Sequence, residues 1–216
     1  MKLIDLNHFP RYKHFQLYNS FDYPHFNLTA SVDITHLQPV IKGKALSITI
    51  TFTYLFARVA NEIPEFRYRI RDQSIIEHEV VHPSTSILTP GDLFSFCTIE
   101  YTPEFDAFYP RAVERVDEVR QHPTLEDEPG SDNLLFMSSI PWISFSQITH
   151  PIHMHPVDSV PRITWGKYFI ESGRMKMPLS IQAHHGLMDG VHVGHFFIHA
   201  QEYLDDPSRF IFNGHD

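Results

Sequence analysis

The run Gln182-Ala183-His184-His185-Gly186-Leu187-Met188-Asp189-Gly190 holds two adjacent histidines, an aspartate four residues after the second, and flanking glycines. These residue types suit proton transfer, because a neutral imidazole accepts a proton near neutral pH and an imidazole at a strand end is held in place. In the strand expected before it, Leu179, Ile181 and Ala183 share one face and Ser180, Gln182 and His184 the other. Parity therefore sets His185 at the end of the apolar face, where a packed surface opens and water can be excluded, and makes it the candidate base. Asp189 falls near the start of the next helix, where free amides and the helix dipole favour a carboxylate. Taken alone, such a pair is more often a packed histidine and a helix cap than a catalytic couple.

Other histidines could suggest a metal. His150, His153 and His155 gather around prolines, and His78 and His82 have the spacing that a helix would need to bring them together. The latter pair falls in or beside an expected strand, and neither group has a cysteine or a spaced set of partners, so no metal is expected.

The elements that position these residues follow from periodicity. Phe26, Leu28, Ala30, Val32 and Ile34 alternate with polar residues as a half-buried strand, after which Thr35 can cap a short helix through Val40. The spacing of Phe52, Leu55, Phe56, Val59 and Ile63 predicts a helix from Ile48 to Glu62, stopped by Pro64. Phe66, Tyr68 and Ile70 alternate with Glu65, Arg67 and Arg69, and Arg71-Asp72-Gln73 supplies a turn into Ile75–Val81, which reads as a hairpin. A strand is expected over Leu93–Tyr101, and a helix over Pro110–Arg120 with Ala112, Val113 and Val116 inward. A loop then covers Pro123–Asp132. Strands follow over Asn133–Ile140, Ile143–Ile148, Arg162–Ile170 and Lys176–His184, and a helix from Asp189 to about Leu204. Many strands with three or four helices indicate one α/β or α+β layer domain over residues 1–216.

Composition narrows the function classes. The 216 residues suffice for one domain with a substantial core, and 42% hydrophobic residues with 18 Phe and 9 Tyr indicate a globular chain. No apolar run is long enough to span a bilayer, and the N-terminus lacks a signal-peptide apolar segment, so a cytoplasmic protein is expected. Cys97 is the only cysteine and excludes an intrachain disulfide. A formal net charge of −9 argues against a nucleic-acid partner, whose phosphates require a basic face.

Several stretches extend the pattern beyond the histidines. His184-His185-Gly186-Leu187-Met188-Asp189-Gly190 fits HHxxxDG, and its continuation Val191-His192-Val193-Gly194-His195-Phe196-Phe197, Arg11-Tyr12-Lys13-His14-Phe15 followed by Tyr18, Ser138-Ser139-Ile140-Pro141-Trp142, and Ile163-Thr164-Trp165-Gly166-Lys167-Tyr168 occur in a fixed order. Together they resemble the chloramphenicol acetyltransferase family of CoA-dependent acyltransferases over essentially the whole chain. Length separates the chain from two other users of HHxxxDG, the condensation domains of peptide synthetases and the plant-type acyltransferases, which are about twice as long. Dihydrolipoyl acyltransferases share the fold but carry Pro/Ala-rich linkers that are absent here.

The resemblance implies a two-layer sandwich, a mixed sheet with helices packed on one face. It also implies a mechanism. His185 would remove the proton from an acceptor hydroxyl as it attacks the thioester of acetyl-CoA, its other ring nitrogen held by its own backbone carbonyl. Ser138 would donate to the oxyanion, and Thr164 would hold a water against the same intermediate. Asp189 would pair with Arg11 and lock the turn that aims His185. Tyr18, Phe26 and Phe94 match or lie near aromatic positions around the acceptor, chloramphenicol or a similar small molecule. Asp22 and Lys13 depart from the family pattern, and Asp22 would disfavour an apolar acceptor if it faced the pocket. Lys167 and Tyr168 resemble residues on the CoA side, with Arg174 and Lys176 able to help with phosphate. The family works as a homotrimer with active sites at subunit interfaces. Alternatives are acetyl transfer to a different hydroxyl or amine and a non-catalytic trimeric binding protein that retains the motif.

Overall fold

The computed structural model describes residues 1–125 and 130–211. Its elements in chain order are β1 (Lys2–Leu3), α1 (Tyr12–Tyr18), β2 (His25–Asp33), α2 (Leu37–Gly43), α3 (Ile48–Glu62), a 3-10 turn (Pro64–Arg67), β3 (Tyr68–Arg71), β4 (Ser74–Glu77), β5 (His82–Thr89) and β6 (Leu93–Thr98). There follow α4 (Phe105–Gln121), β7 (Leu134–Ile140), β8 (Arg162–Gly166), β9 (Phe169–Glu171), β10 (Arg174–His184), α5 (Gly190–Asp205) and α6 (Ser208–Ile211). The main sheet is mixed, ordered β2-β10-β8-β7-β5-β6 with β9 paired to the start of β10, and β1-β4-β3 form a small separate sheet. β7 runs parallel to β5 and β8, while the other neighbours are antiparallel. Helices α4 and α5 each pack on α3, and all three pack on this sheet, giving the expected two-layer mixed α/β architecture. Among the described residues no helix is long and apolar enough to cross a membrane.

Helix α3 forms although its first turn is rich in β-branched residues, because its middle, Ile50 to Ala57 with Val59 and Ala60, is buried and Ser47 caps it by accepting from Ile50 N–H. Apolar residues of α5 (Val193, Phe196, Ala200, Leu204) meet the core at helical spacing, as the sequence predicts. Leu179, Ile181 and Ala183 of β10 enter the same core. The polar face of β10 is buried as well: Ser180, Gln182 and His184 are each 1% exposed. Asn27 and Thr29 of β2 bond Ser180, Tyr23 and the backbone of His150 bond Gln182, and the ring of His25 packs on that of His184.

Other expectations required correction. The helix expected from Pro110 begins at Phe105, because Phe105 and Phe108 are buried with Ala112 and Val116, and that packing outweighs the missing N–H of Pro110. Val113, expected inward, is exposed. Thr35 is not a helix cap; its hydroxyl accepts from Met175 N–H, while α2 starts after His36 without a side-chain cap. The hairpin exists, but Phe66 lies in the 3-10 turn, and the buried side chain of β3 is Arg69. The Arg69 guanidinium is satisfied by the carbonyls of Phe66, Tyr68, Asp132 and Leu134, which ties β3 to the start of β7. Strand β2 is an edge, so Leu28 and Ala30 stay exposed. Strand β5 was not anticipated; Pro83 and its hydroxyl residues obscure it. Ile143–Ile148 is not a strand. Both edges of β8 are taken, by β7 and β10, so the segment joins no ladder and makes one backbone bond, from Lys167 N–H to Ile143 O at 2.8 Å. Arg162–Ile170 breaks at Lys167-Tyr168 into β8 and β9. The expected loop Pro123–Asp132 falls partly outside the described residues.

Candidate active site

His185 stands one residue beyond β10, in a turn fixed by His185 N–H donating to Pro24 O at 2.8 Å and Leu187 N–H to His184 O at 3.0 Å. Its ring lies between two aromatics. Tyr18 is stacked on it with centroids 4.0 Å apart and planes 5° off parallel, and Phe26 tilts against it at 4.5 Å. This clamp exists because α1 is pinned by Phe15, which joins Phe9, Ile75 and Leu187 in a small second core. Gly186 allows the approach: a Cβ there would sit 3.1 Å from the His184 ring and 3.4 Å from Phe15 Cα. The expected bond from the His185 ring to its own carbonyl is not formed. His185 Nδ1 is enclosed with no hydrogen-bond partner among the described residues, and the carbonyl accepts from Arg11 Nη2 at 3.1 Å. Aromatic stacking thus holds the ring in place of that bond.

Arg11 immediately precedes α1 and forks between the two partners that define the turn. Nη1 donates to Asp189 Oδ2 and Nη2 to the His185 carbonyl. Asp189 also caps α5, accepting from Val191 N–H at 3.0 Å while its own N–H donates to His192 Nδ1 at 3.1 Å. Burial by itself would raise the Asp189 carboxyl, but the Val191 amide and the Arg11 guanidinium hold it below the usual carboxylate range. One side chain therefore both starts the helix and anchors the arginine beneath His185.

His184 is a different kind of histidine. Its Nδ1 accepts from Gly186 N–H at 3.1 Å, and its ring meets that of His25 edge-on at 5.2 Å. Burial, with smaller contributions from His25 and His185, pushes its pKa down to about 3, so it stays neutral and enclosed. His25 Nε2–H donates to Asp158 O at 2.7 Å.

Ser138 and Thr164 lie elsewhere on the sheet. Register aligns Ser138 with Thr164 and Thr164 with Ser180, so a row of hydroxyls crosses β7, β8 and β10 on the face opposite the helices. Ser86 extends it to β5, its hydroxyl 3.1 Å from that of Ser138. Ser138, Thr164 and Phe94 line a cavity of about 1240 Å³ together with Leu88, Phe96 and Trp142. Its size exceeds the range of about 300–1,000 Å³ typical of small-molecule pockets, leaving room for more than one reactant. His185, Tyr18 and Phe26 are not on this wall. Within one chain the predicted residues thus form two groups: Arg11, Tyr18, Phe26, His185 and Asp189 around the imidazole, and Ser138, Thr164 and Phe94 around the cavity.

The remaining predicted residues are peripheral in this chain. Lys167 and Tyr168 are exposed at the break between β8 and β9. Arg174 is held by Asp33 at 2.9 Å. Lys13 and Asp22 are exposed, and Asp22 does not line the cavity. Among the described residues no group of three or more His, Cys, Asp or Glu is placed to hold a metal. The sequence reading weighed His150 only as part of a metal group and did not place it at the site, although its Nε2 lies 2.8 Å from Thr164 Oγ1 on the cavity wall; it did not single out Arg162, ion-paired with Asp158 there. His150 stands in an aperiodic, proline-flanked segment, and no spacing marked it.

Comparison with known proteins bears on the family and the fold. A family profile described as chloramphenicol acetyltransferase matches residues 1–201. A chloramphenicol acetyltransferase of Bacillus pumilus is 30% identical over 214 residues, covering 95% of this chain and 97% of that protein. One of Clostridium butyricum is 31% identical over 208 residues, covering 93% of each. The solved structure of a chloramphenicol acetyltransferase superposes with a TM-score of 0.85 at 27% identity, over 94% of this chain and 100% of that one. The dihydrolipoamide acetyltransferase of Azotobacter vinelandii shares the fold, with a TM-score of 0.67 at 20% identity over 91% of this chain and 87% of that one.

Proposed function

The chain belongs to the chloramphenicol acetyltransferase family, and from that premise we propose that it transfers the acetyl group of acetyl-CoA to a hydroxyl of chloramphenicol, with His185 as general base. The observation that carries the residue assignment is the clamped imidazole. A ring fixed between Tyr18 and Phe26, at a turn locked by Arg11 and Asp189, presents one nitrogen in a defined direction.

In this mechanism His185 Nε2 takes the hydroxyl proton as the acceptor oxygen bonds to the acyl carbon of the thioester. Negative charge then collects on the acyl oxygen, and the Ser138 hydroxyl, helped by Thr164, donates to it at that stage only. When the C–S bond breaks, the imidazolium returns its proton to the departing sulfur, leaving the acetyl ester, free CoA thiol and a neutral base. Asp189 and Arg11 take no proton; they keep the carbonyl side of His185 in place. The separation of the two residue groups supports a homotrimer in which His185 of one subunit faces the cavity of its neighbour. The cavity volume and the exposed Lys167 and Tyr168 suit an extended nucleotide thioester entering from the β8–β9 side. The family match and the single main core support residues 1–216 acting as one catalytic domain.

A second reading, acetyl transfer to a different hydroxyl or amine acceptor, draws support from the polar wall made by His150, Asp158 and Arg162. A thiol-release assay with acetyl-CoA separates the readings. Release that requires chloramphenicol supports the first, and release only with other hydroxyl or amine acceptors supports the second. No release with any acceptor contradicts both and leaves a binding protein.

A further inference from the structure

Thr164 is 1% exposed, and its hydroxyl lies 2.8 Å from His150 Nε2. That imidazole is itself placed by a chain of bonds. His150 N–H donates to Gln182 Oε1 at 2.7 Å, and Gln182 Nε2 donates to Tyr23 OH at 3.0 Å. Gln182 sits on β10 two residues before His184, and Tyr23 falls in sequence between Tyr18 and Phe26, the two aromatics that clamp His185. The chain of bonds therefore runs from the segment around His185 to the hydroxyl row on the cavity wall. Burial, reinforced by the nearby Arg162 charge, lowers the His150 pKa and keeps the ring neutral.

A neutral imidazole carries one N–H and one lone pair, and its tautomer decides which way the Thr164 proton points. If Nε2 accepts, the hydroxyl turns its proton away from the cavity. If Nε2–H donates, the proton is released toward the cavity, where the acyl oxygen acquires charge. We propose that His150 is a positioning residue that donates from Nε2 to Thr164 Oγ1 and so aims the Thr164 hydroxyl proton into the acyl-transfer cavity. This rests on the reading of His185 as the base of the same reaction.

The test combines four variants of the full-length protein: His150→Leu, His150→Gln, Thr164→Val and the His150→Leu/Thr164→Val double variant. A residue acting through Thr164 predicts that His150→Leu lowers kcat about 10-fold, with KM for acetyl-CoA changed by no more than about twofold. His150→Gln, whose amide nitrogen can donate from about the same place, recovers most of that loss. The double variant is no slower than Thr164→Val alone, because one interaction cannot be lost twice. Losses that multiply to about 100-fold in the double variant, or a His150→Leu enzyme with wild-type kcat, overturn the proposal. Should the leucine variant fail to fold, His150→Asn, with a shorter amide, replaces it. The tautomer is also read without turnover, from imidazole 15N–1H correlation spectra of the wild-type protein, where an Nδ1–H form of His150 contradicts the assignment. Absence of acetyl transfer by the wild type would instead count against His185, leaving the tautomer measurement to decide the role of His150.

Discussion

Replacing Arg11 by alanine removes two charge-assisted bonds, one to Asp189 Oδ2 and one to the His185 carbonyl. The pair is neither fully buried nor on the surface, with side-chain exposures of 12% for Arg11 and 29% for Asp189. Loss of one partner of a buried pair costs about 3–5 kcal/mol, and an exposed pair is worth about 0–1 kcal/mol. Asp189 keeps its bond from Val191 N–H and its access to water, so its charge is not stranded. We therefore expect about 2–3 kcal/mol, or a fall in Tm of roughly 4–12 °C for a chain of this size. The catalytic consequence is separate. Without the guanidinium the turn beneath His185 loses its lock, and a displacement of about 1 Å at a reacting group costs up to about 100-fold, so kcat should fall about 10- to 100-fold. Arg11→Lys distinguishes the two effects: it restores charge near Asp189 but cannot fork to both acceptors, so it should recover more Tm than kcat. Thermal melts and initial rates of thiol release on the same preparations measure both. An Arg11→Ala protein with unchanged Tm and unchanged kcat would refute the reasoning, and full recovery of kcat by lysine would refute the role of the fork.

Two further outcomes are expected. Ser138→Ala should lower kcat about 10²-fold with little change in KM, since the hydroxyl stabilises charge absent from the ground state; steady-state rates with saturating acceptor check it. Stability should also depend on pH through His184, whose pKa is about 3 when folded against an ordinary value near 6.5. The folded pKa is depressed, so the unfolded chain binds the proton first, and stability is intact above about pH 6.5 and erodes as pH falls toward 3. Between about pH 7.5 and 5.5 this one group should account for roughly 1 kcal/mol, with His25 and His150 acting in the same direction. His184→Asn can retain an acceptor for Gly186 N–H and should flatten that part of the Tm–pH curve; an unaltered slope would assign the acid sensitivity to other groups.

Local periodicity was informative wherever one face of an element meets the core. Strand β10 and helices α3 and α5 were legible because Leu179, Ile181 and Ala183 alternate, while Phe52, Leu55, Phe56 and Val59, like Val193, Phe196, Ala200 and Leu204, recur at helical spacing. Parity along β10 also separated His185 from His184, which is enclosed within the strand while His185 stands in the turn after it. Tertiary contacts were not legible. Phe105 and Phe108 draw α4 across Pro110, Arg69 is buried because four carbonyls converge on it, and Ile143–Ile148 meets the end of β8, both of whose edges are already taken. His150 reaches Thr164 through a segment with no period, so its place depends on contacts that its neighbours in sequence do not encode. The division between the His185 clamp and the Ser138–Thr164 wall was not anticipated, and Tyr18 and Phe26, expected around the acceptor, lie against His185 instead, since periodicity assigns a residue to a face and not to a neighbour.

The most direct test of the central claim is kcat for acetyl transfer by His185→Ala, measured alongside its melting curve. The account predicts a loss of at least about 10²-fold with the fold intact, because the general base is removed while the Arg11–Asp189 lock remains. Turnover close to that of the wild type in a folded His185→Ala protein would contradict it.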